Sequence, residues 1–289
     1  MLPANYPATA LANSLRSIDH RGVTQPSTRS RPIGVFDSGV GGLTVLKELR
    51  SRLPNQDFLY FSDTARVPYG RKPKEMVCGF ARQIVSFLLR MQVGGIVIAC
   101  NTASAAALPE LAASTPVPVW GVIDPGVEAA RRQTRTGRVG VIGTLGTISS
   151  GVYQRKLEAL GLWVWAQACP LLVHVVEEGL AGSSDAQALA QHYLSARPDI
   201  DTLILGCTHY PVLGPVIQRV VGPSICLVSS AVVTAEVVSA AWEPSGAGAG
   251  CVTHYVTGDP LAYRHTAHFI DGVEGDIVPL DVTRLDSLP

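Results

Sequence analysis

Charge is what this chain has least of. Only 16% of its 289 residues are charged, and 23 basic side chains balance 23 acidic ones. A neutral, sparsely charged chain has no electrostatic means of capturing nucleic acid or an acidic membrane surface. Long apolar runs are missing as well: none approaches the roughly 20 residues that span a bilayer. The N-terminus lacks the apolar core of a secretory signal peptide, so a cytoplasmic location is expected. Lysine is limited to Lys47, Lys72, Lys74 and Lys156, and none stands where it would hold pyridoxal phosphate. His20, His174, His192, His254, His265 and His268 make no metal-ligand pattern with cysteine or acid, so surface or packing roles are expected for them. The six cysteines contain no CxxC pair, which argues against disulfides and for free thiols in a reducing compartment. Cys78, Cys169, Cys226 and Cys251 read as small apolar packing residues.

Apolar residues, by contrast, make up 47% of the chain, and its length allows two domains with sizeable cores. From Arg31 onward, short apolar runs alternate with helical patterns. Strands are expected at Ile33–Phe36, Phe58–Phe61, Ile96–Cys100, Val117–Val122, Arg138–Ile142, Leu162–Ala168, Leu203–Gly206 and Cys251–Thr257. Helices are expected at Thr44–Arg52, Pro73–Gln92, Thr102–Ala113, Ser150–Leu160, Asp185–Ser195, Pro211–Val220, Val232–Trp242 and near Pro260–Phe269. Continuous apolar strands alternating with helices imply an α/β fold with mostly parallel sheets covered on both faces. The expected organisation is a first α/β domain over 32–123 plus 236–289 and a second over 124–235. Residues 1–31 have no apolar periodicity and hold four arginines against one acid, Asp19. They read as a disordered or loosely docked extension, a composition that an organelle transit peptide also shows.

Two cysteines end two of the apolar strands. GGIVIACNTASAAAL carries Cys100 and DTLILGCTHYPVL carries Cys207. A second pair, IGVFDSGVGGL and RVGVIGTLGTIS, repeats at nearly the same offset. A strand, a Gly/Ser/Thr loop and a strand ending in cysteine therefore occur twice, as in a chain built from two similar halves facing each other. In α/β sheets ligands bind beyond the carboxyl ends of the strands, where Asp37, Cys100, Thr144 and Cys207 all fall. A thiol just before a helix meets the positive end of the dipole, which lowers its pKa. Two opposed thiols suit removal of a proton from one face of a carbon and its return to the other. His209, two residues after Cys207, can stabilise a thiolate or protonate it. Taken alone, Asp37-Ser38-Gly39 is equally a tight strand-to-helix turn, Tyr69-Gly70 an ordinary turn, and the Glu177-Glu178 pair a solvated helix end.

Together these residues resemble glutamate racemases, of the cofactor-independent aspartate/glutamate racemase superfamily. DSGVGG at 37–42, PYG at 68–70, CNTA at 100–103, GTLGT at 143–147 and CTHYP at 207–211 match that family's motifs in its order. The resemblance implies two pseudo-symmetric α/β domains with the active site between them. It implies Cys100 and Cys207 as the two bases, assisted by Asp37, Glu177 and His209. It further implies that Asp37, Ser38, Tyr69, Gly70, Asn101, Thr102, Thr144, Thr147, Thr208 and His209 hold the substrate. Glutamate would be that substrate, with no cofactor and no metal, and D-glutamate for bacterial peptidoglycan the product. It leaves room for a homodimer and for regulation by a cell-wall precursor. The chain departs from the family pattern in the extension at 1–31 and in His174, where proline is expected. The other readings are an aspartate or hydantoin racemase, a hydrolase using Cys207 and His209, and a non-catalytic small-molecule binding protein.

Overall fold

A computed structural model describes residues 31–244, 246 and 248–285. Of the expected N-terminal extension, residues 1–30 lie outside the described residues. Two parallel sheets organise the rest. The first has six strands: β1 (Ile33–Asp37), β2 (Phe58–Ser62), β3 (Gly95–Ile98), β4 (Val119–Gly121), β9 (Val252–Val256) and β10 (Asp276–Pro279). Their order is β10-β9-β2-β1-β3-β4. The second contains β5 (Arg138–Gly143), β6 (Trp163–Ala168), β7 (Thr202–Gly206) and β8 (Cys226–Ser229), in the order β6-β5-β7-β8.

Strand composition explains the central positions. Every residue of β1 is buried, as is every residue of β3 and β7. Runs such as GIVI and TLILG can be buried on both faces only where helices cover both. Each fully buried Val, Ile, Leu or Phe contributes about 1.5–3 kcal/mol of transfer free energy. Helices α1 (Leu43–Arg52), α2 (Lys74–Arg90), α3 (Asn101–Ser114) and α4 (Ile123–Gln133) follow the first strands. The second sheet carries α5 (Leu145–Ser149), α6 (Val152–Glu158), α7 (Leu171–Glu177), α8 (Ser184–Leu194) and α9 (Gly214–Val221). Helix α10 (Ser230–Ala241) leads back to β9, and α11 (Pro260–His268) precedes β10. None of the helices among the described residues is long and apolar enough to cross a membrane.

Strand order fixes where ligands can bind. β1 has β2 on one side and β3 on the other. β5 likewise lies between β6 and β7. At such points consecutive crossovers leave toward opposite faces and open a crevice beyond the strand ends. Asp37 and Cys100 stand at that point in the first sheet, Thr144 and Cys207 in the second.

Several elements differ from expectation. α4, α5, β8 and β10 were not anticipated. The run IDPGVEAARRQ carries Pro125 and Gly126 at its third and fourth positions, and proline is tolerated in the first helical turn, where its missing N–H costs nothing. β8 and β10 are four residues each, too short to show a period. β3 stops at Ile98, so Cys100 caps α3 instead of ending the strand. Cys78 and Cys169 are buried as expected, but Cys226 and Cys251 are exposed. Cys226 opens the short edge strand β8, where its thiol donates to Gln133 Oε1 at 2.8 Å, and Cys251 lies on the approach to β9.

Candidate active site

The facing strand ends enclose a cavity of about 220 Å³. Ser38, Gly39, Cys100, Asn101 and Thr102 line it from the first sheet's side. Thr144, Glu177, Cys207, Thr208 and His209 line it from the second, and Tyr69 and Gly70 form part of the wall. Asp37 and Thr147 are fully buried and sit behind that surface.

Four hydrogen bonds tie the halves together around the cavity. Thr44 donates to the Thr208 carbonyl at 2.9 Å, and Tyr153 donates to Asn101 Oδ1 at 2.8 Å. Thr102 and Thr144 share a 2.8 Å contact, and Thr147 lies 3.2 Å and 3.0 Å from them. These hydroxyls form one triad from both halves. Gly41 lets the halves approach: a Cβ there would lie 2.3 Å from Thr208 Oγ1 and 2.5 Å from the His209 ring.

Cys100 is the N-cap of α3, and its sulfur accepts from the Ala103 N–H at 3.5 Å. Its thiol points to Ser38 Oγ at 3.7 Å. The expected lowering of its pKa by the helix end is not what the structure shows. Burial and the charge of Asp37 push the thiol up to about 12, against the weaker pull of the Ala103 and Ser38 bonds. Removing a sulfur from water costs more than two long hydrogen bonds return.

Cys207 has other company. Its sulfur lies 3.7 Å from His209 Nδ1, and His209 Nε2 lies 2.9 Å from Glu177 Oε1. Burial alone would lower the His209 pKa, but its bonds to Cys207 and Glu177, and their charges, outweigh burial and raise it to about 10. The same contact lowers the Glu177 carboxyl despite burial. His209 is thus an imidazolium held between a sulfur and a carboxylate.

Asp37 answers to both sides. Burial raises its pKa, while the His209 charge and the N–H groups of Gly39 and Gly42 pull it down. Its Oδ2 accepts from Gly39 N–H at 3.1 Å, and Oδ1 has no partner. The Asn101 amide nitrogen is also buried without one. Unpaired polar atoms are costly inside a protein; of these two residues Asn101 stands at the cavity wall, where a ligand would satisfy it, while Asp37 lies behind it.

Some wall residues were not anticipated. Val67, Pro68, Arg71, Leu145, Pro170, Val173 and His174 also line the cavity. His174, expected on the surface or in packing, is exposed but stands one helical turn before Glu177 and lowers its pKa. The (i, i+3) spacing in VHVVE was the available signal. Tyr69 is 1% exposed and turns its hydroxyl away to Asp63, so what this turn offers the cavity is mainly backbone. Among the described residues no group of three His, Cys, Asp or Glu could hold a metal ion.

Comparison with known proteins fits this geometry. Residues 44–238 match the model of the Asp/Glu/Hydantoin racemase family. A glutamate racemase of Thermus thermophilus is 54% identical over 241 residues, covering 82% of this chain and 91% of that protein. The structure of glutamate racemase from Thermus thermophilus in complex with beta-chloro-D-alanine superposes with a TM-score of 0.81 at 50% identity, covering 88% of this chain and 98% of that one. The Escherichia coli glutamate racemase in complex with L-glutamate and the activator UDP-MurNAc-Ala gives a TM-score of 0.72 at 27% identity, over 86% and 98% of the two chains. The chain belongs to the Asp/Glu/Hydantoin racemase family.

Proposed function

We propose that the protein is an amino-acid racemase that interconverts L- and D-glutamate without a cofactor, supplying D-glutamate for peptidoglycan. The observation that carries this reading is one cavity with two thiols, one from each sheet. The relatives named above favour glutamate over aspartate or hydantoin. A hydrolase built on Cys207 and His209 would leave Cys100 without a task.

The chemistry runs between the two sulfurs. One cysteine, as thiolate, takes the α-proton and becomes a thiol. The opposite cysteine, as thiol, gives its proton to the other face of the carbanion and becomes the thiolate. The reverse direction exchanges their roles. His209, held protonated by Glu177, stabilises negative charge on Cys207. Asp37 lies within the field of Cys100 and assists that side. The N–H groups and hydroxyls of Ser38, Gly70, Asn101, Thr102, Thr144 and Thr208, with Thr147 behind them, hold carboxylates and amine. Charge on the carbanion is then met by fixed donors in a site from which water is displaced.

The lobes of this reading are 32–123 plus 236–289 and 124–235, with α10 crossing the second boundary. A cell-wall precursor is the candidate regulator, by analogy with the activator in the Escherichia coli complex. A homodimer is the candidate assembly, to be checked by sedimentation.

The test is incubation with L-glutamate in deuterated water with no cofactor added. Loss of optical rotation with deuterium at the α-carbon is the expected result. Product formed with neither exchange nor inversion would point to the hydrolase reading, and no turnover at all to a binding protein.

A further inference from the structure

A charged pair that the proposed chemistry does not use lies under one wall of the cavity. Asp63 follows β2 and is fully buried. Its Oδ2 accepts from Arg66 Nε at 2.7 Å and from the Tyr69 hydroxyl. Its Oδ1 accepts from the Thr257 hydroxyl at 2.9 Å, at the end of β9. Burial raises the Tyr69 hydroxyl far above its ordinary pKa, so it remains a donor. Arg66 is held in turn: its guanidinium lies 4.2 Å from the Phe80 ring centre, and Nη1 donates to Gln83 Oε1 at 2.6 Å.

The segment these contacts hold has little order of its own. It consists of two three-residue 3-10 turns, Thr64–Arg66 and Tyr69–Arg71. Such turns make few internal hydrogen bonds and depend on anchors. Its far side is pressed against the other half of the molecule. A Cβ on Gly70 would stand 2.7 Å from Thr144 Cβ, and a Cβ on Gly146 would stand 3.1 Å from the Gly70 carbonyl. The turn is therefore wedged between the Asp63 anchor and the second sheet's loop.

We propose that Asp63 is a positioning residue for the racemisation: through Tyr69 and Arg66 it fixes the Gly70 wall against Thr144 and so sets the shape of the substrate cavity. The inference rests on the racemase reading above. Asp63 lies behind the wall and touches no substrate. Its buried carboxylate gathers three donors, from both turns and from Thr257 just after β9, so the position of this substrate-holding wall depends on it.

The test compares steady-state kinetics of the wild type, Asp63→Asn and Thr257→Val with both enantiomers of glutamate. Asp63→Asn keeps the volume and gives up the charge. KM should rise about tenfold, the effect of one lost charge-assisted bond, with kcat within about threefold because both thiols are untouched. Thr257→Val removes one peripheral donor and should raise KM by roughly two- to fivefold. A fall in kcat at constant KM would mean only a smaller active fraction, and would overturn the assignment. If Asp63→Asn does not fold, an unmoved KM in Thr257→Val overturns it instead. An active wild type with unmoved KM in the variants defeats this inference alone. A wild type inactive on glutamate defeats the functional reading and this inference with it.

Discussion

Cys100 and Cys207 occupy equivalent places beyond two central parallel strands, but their surroundings differ in charge. Cys100 caps a helix of 14 residues and has the Asp37 carboxylate nearby. Cys207 is followed by a four-residue 3-10 turn and has an imidazolium against it, backed by Glu177. The first half therefore favours a protonated thiol, and the second presents positive charge to its sulfur. Topology is repeated while electrostatics is not. A two-base reaction needs one base and one acid at the start, and the unequal surroundings provide them even though the backbone frame is shared.

Removing either thiol is the largest perturbation available to this comparison. Cys100→Ser and Cys207→Ser should each lower racemisation by at least about 10³-fold with the fold retained, because serine is nearly isosteric but far less acidic. Near-normal turnover in either variant, with circular dichroism unchanged, would remove that cysteine from the chemistry.

The helpers come next. Asp37→Asn and His209→Asn should each cost about 10²–10⁴-fold. The equilibrium constant of a racemisation is one, so kcat/KM must fall equally in both directions. Any asymmetry appears in kcat and KM separately, or in exchange from each enantiomer. Asp37 feels His209 as well as Cys100, so its variant should be the less one-sided of the two. Equal loss of α-proton exchange from both enantiomers in both variants would reduce these residues to substrate binding. Glu177→Gln acts one step further out. It should cost roughly 10²-fold, the low end of that range. It should also move the basic limb of the pH–rate profile to lower pH, since His209 loses a partner that raises its pKa.

The same histidine makes stability depend on pH. Its pKa rises from 6.5 to about 10 on folding. Its stabilising contribution is thus complete below about pH 6.5 and is lost as pH climbs toward about 10. Tm should fall more steeply over that interval in the wild type than in His209→Asn; parallel curves would contradict the imidazolium. Asp201, before β7 and far from the thiols, offers the opposite case. Burial would raise its pKa, yet bonds from Thr134, Thr136, Arg135 and Thr202 hold it below the usual 3.8. That stability is present above pH 3.8 and is lost as pH falls. Asp201→Asn should destabilise by about 1–3 kcal/mol and leave kcat and KM unchanged; altered kinetics would mean that the second sheet transmits strain to the site.

Much of this arrangement was legible in the chain itself. An apolar run ending in cysteine and small polar residues marks a strand end at a crevice, and its recurrence marked two halves. The charge environment of each sulfur was not legible, because it depends on residues brought together by folding. The Asp37 charge reaches Cys100 across the switch point of the first sheet, and Glu177 reaches His209 from α7. Asp63 and Arg66 escaped notice for a similar reason. In SDTARVPYG the aspartate looks like a turn cap, and only the folded wall gives it Tyr69 and Thr257 as partners. His174 is exposed, as its surface-or-packing reading allowed, and what that reading lacked was its place on the cavity wall, which only the (i, i+3) spacing to Glu177 hinted at. Short elements such as β8 and β10 show too few residues for a period, and register with a neighbour is what makes them strands.

The central claim is that the two thiols act on opposite faces of one carbon. Its most direct test is deuterium incorporation at the α-carbon of L- and of D-glutamate by the wild type, Cys100→Ser and Cys207→Ser, in deuterated water without cofactor. The account predicts exchange and inversion of both enantiomers by the wild type. Each variant should lose inversion, with any remaining exchange confined to one enantiomer, and to the opposite enantiomer in the other variant. Exchange from both enantiomers in a single variant, or inversion surviving in either, would contradict it.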